Sequence, residues 1–165
     1  MAYSTTKFDA QFMFLVLSRV QTVLERDANT AVAEWADTSL EPFLEFQTPL
    51  EIVTRFPALY VAPVSTKADQ AQDDLSIKSA HQIAVGVAVV GETHEIVKTR
   101  MIKYLVAIDR VLRTMTISDL MDGVSQAKGE PAWEVTEHQY GLLYQEAGAY
   151  RRDASLTLEI HIRET

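Results

Sequence analysis

Gln82-Ile83-Ala84-Val85-Gly86-Val87-Ala88-Val89-Val90 is the stretch whose reading decides the fold. Ile83, Val85, Val87 and Val89 alternate with Ala84, Gly86 and Ala88, the period-two pattern of a β-strand. Both faces are apolar, so both are expected to be covered, the small one at close range. From Thr93 to about Met115 the period turns helical. Val97, Met101, Leu105, Ile108, Leu112 and Met115 form one stripe, and this central helix is the candidate to pack on the strand.

Working back from that strand, Ser65 to Ala80 is polar and carries Lys67, Asp69, Asp73, Asp74 and Lys78, so it is expected to be a long mobile loop that orders only at an interface. Ala58 to Val64 reads as a strand, with Pro63 placing it at a sheet edge or a strand end. Thr48-Pro49-Leu50-Glu51 is a helix start, and Pro57 keeps that helix short. Ala31 to Phe46 reads as a short helix and an irregular connection. At the N-terminus, Thr6 and Asp9 stand in capping-box spacing. Phe8, Phe12, Leu15, Val16, Val20, Val23 and Leu24 then mark a buried helical face that ends at Asp27 and Asn29.

Working forward, Ile117 to Pro131 is a turn-rich connection with room for one helical turn. Trp133 to Gln145 and Ser155 to Glu164 read as strands joined as a hairpin through residues 147–153. In the last strand Leu156, Leu158, Ile160 and Ile162 alternate with polar residues, so one face is buried and the other wet. The expected fold is one α+β domain over residues 1–165, in the order α-β-β-α-β-β. Its mainly antiparallel four-stranded sheet has helices packed on one face and the other face free.

The chain has 165 residues, 47% hydrophobic and 23% charged, which suits a single core. It has no cysteine, which excludes disulfides, thiolate metal sites and thiol catalysis. No window suggests a membrane span or a signal peptide. A net charge of -8 opposes general binding to nucleic acid.

Catalytic patterns are not found. None of the four histidines, His81, His94, His138 and His161, lies at a ligand spacing; His94 is read as a solvated helix start and His161 as a surface or interface residue. No serine stands in a nucleophile elbow, and the six glycines form no phosphate loop. Asp73-Asp74 is read as a solvated pair rather than a cation loop. The expectation is therefore no enzyme, no cofactor and no metal.

Charge is uneven along the chain. Lys98, Arg100, Lys103, Arg110 and Arg113 face only Asp109 in their segment, whereas Asp119, Asp122, Glu130, Glu134, Glu137 and Glu146 are set against Lys128 alone. Opposite patches allow head-to-tail association of identical subunits; alternatively they neutralise each other within one chain. Candidate interface residues are Lys98, Arg100, Lys103, Arg110, Arg113, Asp119, Asp122, Glu134, Glu137, Asp73 and Asp74. With only Tyr104 interleaved, the basic helix is a poor nucleic-acid reader.

Phe56-Pro57-Ala58-Leu59-Tyr60-Val61, the run Ile83 to Val90 with its following helix to Leu112, and Tyr144-Gln145-Glu146-Ala147 leading to Leu156-Thr157-Leu158-Glu159-Ile160 together resemble the tail-terminator, or tail-completion, proteins of long-tailed bacteriophages. The resemblance spans about residues 5 to 164 and is one of architecture, without a diagnostic motif. It implies a virion tail protein assembled in the host cytoplasm. Its partners would be itself, in a ring of six, and the tail-tube and head-tail connector proteins. The ring would cap the tail tube and receive the filled head, with DNA passing through it and no sequence-specific nucleic-acid contact. It carries over no catalytic residues. Competing readings are another connector, neck or tail-tube component, a dimeric ferredoxin-like ligand-binding regulatory domain, and a small enzyme built on His94 or His138. Two substitutions are expected to differ sharply: Gly86→Leu overpacks a close-packed layer, while His94→Ala is nearly silent.

Overall fold

The computed structural model describes residues 5–34, 40–50, 52–70, 77–121 and 132–164. Its elements are α1 (Thr5–Ala33), β1 (Glu45–Phe46), β2 (Ala58–Gln70), β3 (Ile77–Gly91), α2 (His94–Arg113), α3 (Ile117–Met121), β4 (Ala132–Glu146) and β5 (Ala149–Glu164). The strands form one sheet in the order β1-β2-β3-β5-β4. β1 is parallel to β2, and the other pairings are antiparallel. The fold is thus mixed α+β as expected, but with five strands rather than four. A two-residue strand among phenylalanines and glutamates carries no period to read.

β3 lies at the centre of the sheet and behaves as its alternation requires. Ile83, Val85, Val87 and Val89 are buried in the main core beneath the helices. On the same face β5 sets Leu156 opposite Val85 and Leu158 opposite Ile83, with Ile160 and Ile162 further along, all buried. α2 lays Val97, Met101, Leu105, Ile108 and Leu112 onto this layer. Its first turn is capped by Thr93, whose hydroxyl accepts from the Ile96 amide at 3.3 Å. At its other end the Trp133 indole donates to the Leu112 carbonyl at 3.0 Å, satisfying one of the orphan acceptors of the last turn.

α1 runs past the expected stop at Asp27 and Asn29, to Ala33. Ala28 and Val32 continue the buried stripe four residues at a time from Leu24. The polar pair is accommodated without a break. Asp27 turns outward onto Arg26, and Asn29 holds the next segment by accepting from the Phe43 amide at 2.7 Å. The side chains of Phe8 and Phe12 and residues 35–39 lie outside the described residues; in the stretch read as a short helix and connection, residues 31–33 are the last turn of α1 and residues 40–44 are irregular.

Two further expectations are corrected. Residues 65–70 and 77–80, read as loop, are strand: β2 and β3 pair continuously from Ser65↔Gln82 to Gln70↔Ile77, and β5 pairs with β3 as far as Ile77↔Glu164. The ladder satisfies the backbone there, and Thr66 and Ser79 reach the buried His81 while Ser65 reaches Gln82, so the polar residues are held by partners. Residues 71–76 lie outside the described residues. The helix expected from Thr48 is only a turn, closed by the Ile52 amide on the Pro49 carbonyl at 3.0 Å. The Thr48 hydroxyl donates to Glu45 Oε1 instead of capping.

That turn changes the account of Gly86. A Cβ there would meet Leu50 Cδ1 at 2.8 Å, so the small face is covered by the segment around Leu50 and not by α2. Leu50, Val53 and Phe56 form a second apolar cluster with Ala58 and Ala88. One end of the face expected to be free is therefore covered. The rest of it carries polar residues such as Gln82, Glu159 and Glu134.

Candidate functional site

Among the described residues, Lys98, Arg110 and Arg113 pair within the helical layer and not with the acidic segment. Lys98 pairs with Glu95 at 3.2 Å, Arg110 with Glu34 at 3.2 Å and Arg113 with Asp109 at 2.6 Å. These are exposed pairs within the helical layer, each a small contribution to stability. Lys103 lies half-buried on the same helix. Arg100 differs from the others: its Nη1 reaches the Val90 carbonyl at 3.5 Å, while its Nε is buried without a hydrogen-bond partner.

On the acidic side, Asp119 belongs to a capping box. Its carboxylate accepts from the Thr116 amide at 2.8 Å, and its own amide donates to the Thr116 hydroxyl at 3.2 Å. That backbone donor, with the Arg26 guanidinium at 3.0 Å, holds its carboxyl below the usual range. The Thr116-x-x-Asp119 spacing was available in the sequence as the signal for α3. Glu137 is exposed on β4 opposite Thr157. Asp73, Asp74, Asp122 and Glu130 lie outside the described residues.

Glu134 stands directly across from Glu159, and His161 shares that sheet face two residues on. One donor atom from each of the three lies within 4.8 Å of the others. An imidazole with two carboxylates is a donor set suited to a borderline divalent ion. The group also has internal partners, since His161 Nε2 sits 2.8 Å from Glu159 Oε1 and Gln82 donates to Glu159 Oε2 at 2.9 Å. Gln82 first, and His161 with it, keep the Glu159 carboxyl below its ordinary range.

The remaining histidines are separated. His94 is exposed beside Glu95 at 3.4 Å, and His138 reaches Asp109 at 3.5 Å. His81 is fully buried between the Thr66 and Ser79 hydroxyls, at 3.1 and 3.0 Å. Burial, with the charge of His161 second, pushes its imidazole down to about 4. It is neutral at pH 7, donating through one ring nitrogen and accepting through the other.

Arg151 was legible only as part of a hairpin connection, yet it ties the outer segment to the sheet. Its guanidinium holds Asp153 through Nε at 2.9 Å and Nη2 at 3.0 Å and donates to the Leu50 carbonyl. It lies between the rings of Phe56 and Tyr144, at 5.0 and 5.3 Å from their centres.

The two edges of the sheet are open. β1 covers only Ala58 and Leu59 of β2, so from Tyr60 onward no described strand pairs with its outer side. Pro63 falls on that open stretch, as a strand proline should. β4 has β5 on one side and no described strand on the other. Its bulges between Val135 and Glu137 and between Tyr140 and Leu143 interrupt the edge. Near its end, Tyr140, Leu142, Leu143 and Tyr144 are all exposed, Leu142 by 88%.

These features define an α+β protein with one mainly antiparallel sheet, helices on one face and two long edges on which no described strand pairs. No protein-family model and no curated protein matches the chain. Among solved structures it is similar to a chain from the virion of a native gene transfer agent particle. The TM-score is 0.43 at 14% identity, over 86% of this chain and 91% of that one. No described helix is long and apolar enough to cross a membrane.

Proposed function

We propose that the chain is a structural virion protein that associates with itself into a closed ring of six, caps a phage tail tube and offers the surface to which the filled head attaches. Its location is the virion tail, its partners are the tail-tube and head-tail connector proteins, and it carries no catalysis. The observation that supports this reading best is the relation between the two open edges. Three antiparallel pairings separate β2 from β4, so the two edge strands run in opposite directions. Placed beside a second copy in the same sense, the β4 edge of one subunit meets the β2 edge of the next as an antiparallel pair.

That contact is head-to-tail, and head-to-tail contacts close into rings when the rotation between copies allows it. Each junction would pair backbone groups that otherwise depend on water and would bring exposed Tyr140 and Leu142 against a neighbour. Such a surface can be assembled without nucleophile, metal or cofactor. Sedimentation and native mass measurement of the purified chain test the reading. The expected result is a discrete species of six times the 18.5 kDa subunit, favoured by higher concentration. A chain that stays monomeric at every concentration, salt and divalent-ion condition, and in the presence of tail tubes, overturns it.

A further inference from the structure

On the wet face of the sheet, where β4 and β5 run side by side, an imidazole and two carboxylates come together. We propose that Glu134, Glu159 and His161 bind a borderline divalent ion of the zinc class in a site open to solvent. All three ligands belong to one chain, so the inference stands apart from the ring reading and survives if that reading fails.

The site is made by register. Residues two apart on a strand share a face, so Glu159 and His161 project from the same side of β5. The ladder sets Glu134 directly opposite Glu159. One ligand atom of each side chain lies within 4.8 Å of the other two. The ligands of a tetrahedral zinc ion stand roughly 3.3 Å apart, so an inward swing of about 1–2 Å completes the set. There is room for that swing, because His161 stands between Ala80 on β3 and Ala132 on β4, two of the smallest side chains. Glu134 and His161 are exposed and Glu159 is half-buried, so an ion reaches all three from water.

Two observations point to an ion rather than a bare polar surface. Carboxylates directly opposite each other on a ladder repel, and a cation between Glu134 and Glu159 converts that cost into binding. Glu159 is also held from behind. Its Oε2 accepts from Gln82 at 2.9 Å, and Gln82 accepts in turn from the Ser65 hydroxyl at 3.0 Å, a relay of the kind that orients metal-ligating carboxylates. Oε1, 2.8 Å from His161 Nε2, is left to turn from the imidazole to the ion. Lys67 on β2 acts on Glu159 and competes with a bound cation.

The donor set chooses among ions. Calcium and magnesium take six or more ligands, nearly all oxygen, whereas zinc accepts imidazole nitrogen and carboxylate oxygen in a shell of four. The fourth position faces solvent and takes water.

Calorimetric titration of the untagged chain with Zn2+ tests the site, with the visible absorption of Co2+ reporting the coordination geometry. One ion per chain is expected at any oligomeric mass, and excess Mg2+ should not displace it. The His161 ring resonances should shift while those of His94 and His138 stay in place. His94 beside Glu95 and His138 beside Asp109 are histidine–carboxylate pairs that lack a third ligand, so they serve as internal controls.

His161→Ala and Glu134→Gln should each weaken Zn2+ by about tenfold or more, and Gln82→Met, which removes only a positioning contact, should weaken it in the same direction. Lys67→Met should tighten it, and His138→Ala should leave it unchanged. The substituted side chains are exposed or half-buried, and thermal unfolding with a chelator present checks that each variant folds. Absence of saturable Zn2+ binding, or equal affinity in His161→Ala, Glu134→Gln and His138→Ala, overturns the proposal.

Discussion

Ala147 and Gly148 turn the chain from β4 into β5 with φ of 49° and 82°. Positive φ at both central positions is the geometry of the two-residue hairpin turn, which asparagine and glycine adopt more easily than alanine. Replacing Ala147 with Asn should therefore raise stability by about 0.5–1 kcal/mol, read as an increased unfolding midpoint. Gly148→Ala should lower it by a similar amount, because the space around that glycine is open and only φ opposes the side chain. At Gly86 the opposition is steric. Gly86→Leu is expected to cost about 1–3 kcal/mol by forcing Leu50 from its place, while His94→Ala stays nearly silent. In the Leu50→Ala background the cost of Gly86→Leu should shrink, and an unchanged cost would remove Leu50 from the account.

His81 carries the pH dependence at this scale. Its imidazole takes a proton near 6.5 when unfolded but only at about 4 in the folded chain. Between those values the unfolded state binds more protons, so stability falls as pH falls through that window and is complete above it. Midpoints at pH 7 and pH 5 should differ in the wild type and converge in His81→Gln. Equal differences in both proteins would contradict the assignment.

Elements show how a sheet can be read in part. β3, α2 and β5 were legible because their apolar residues keep one period and the core accepts all of them. The outer halves of β2 and β3 were not, since Thr66, Lys67, Asp69 and Lys78 look like loop residues until a partner strand takes up the backbone. There the Thr66 hydroxyl meets His81 and the Ser65 hydroxyl donates to Gln82 at 3.0 Å, polar pairs that no composition window weighs. α1 was cut short by reading Asp27 and Asn29 as stops, although Ala28 and Val32 continue its face. Pro63 announced the open edge of β2, but nothing local announces that of β4, because strand order is settled by tertiary pairing.

Arg151, buried to 6% exposure, ties the Leu50 carbonyl and the Phe56 ring to the sheet beside the apolar cluster of Leu50, Val53 and Phe56 on Ala58 and Ala88. Arg151→Met should destabilise by about 2–4 kcal/mol, since the Leu50 carbonyl loses its guanidinium donor and Asp153 is left with the Tyr144 hydroxyl. Amide exchange is the measurement that locates the effect. Faster exchange confined to residues near 50–57 and the β4–β5 hairpin is expected, and uniform loosening of the whole chain would show that the arginine does not act as a local tie.

For the whole molecule, the central claim is that the β2 edge of one copy pairs with the β4 edge of the next. The chain has no cysteine, so introduced pairs report without background. Lys67→Cys with Gln139→Cys, and Val64→Cys with Leu142→Cys, sit on the two edges in antiparallel sequence order. Within one chain these positions are separated by three strand spacings, at least about 14 Å, and are also offset along the strands, beyond the reach of a disulfide. Mild oxidation followed by denaturing electrophoresis should give a ladder of linked subunits that ends at six, from one pair or the other. Monomers alone from both pairs, under conditions where the native mass shows an assembly, would contradict edge pairing as the way these subunits meet.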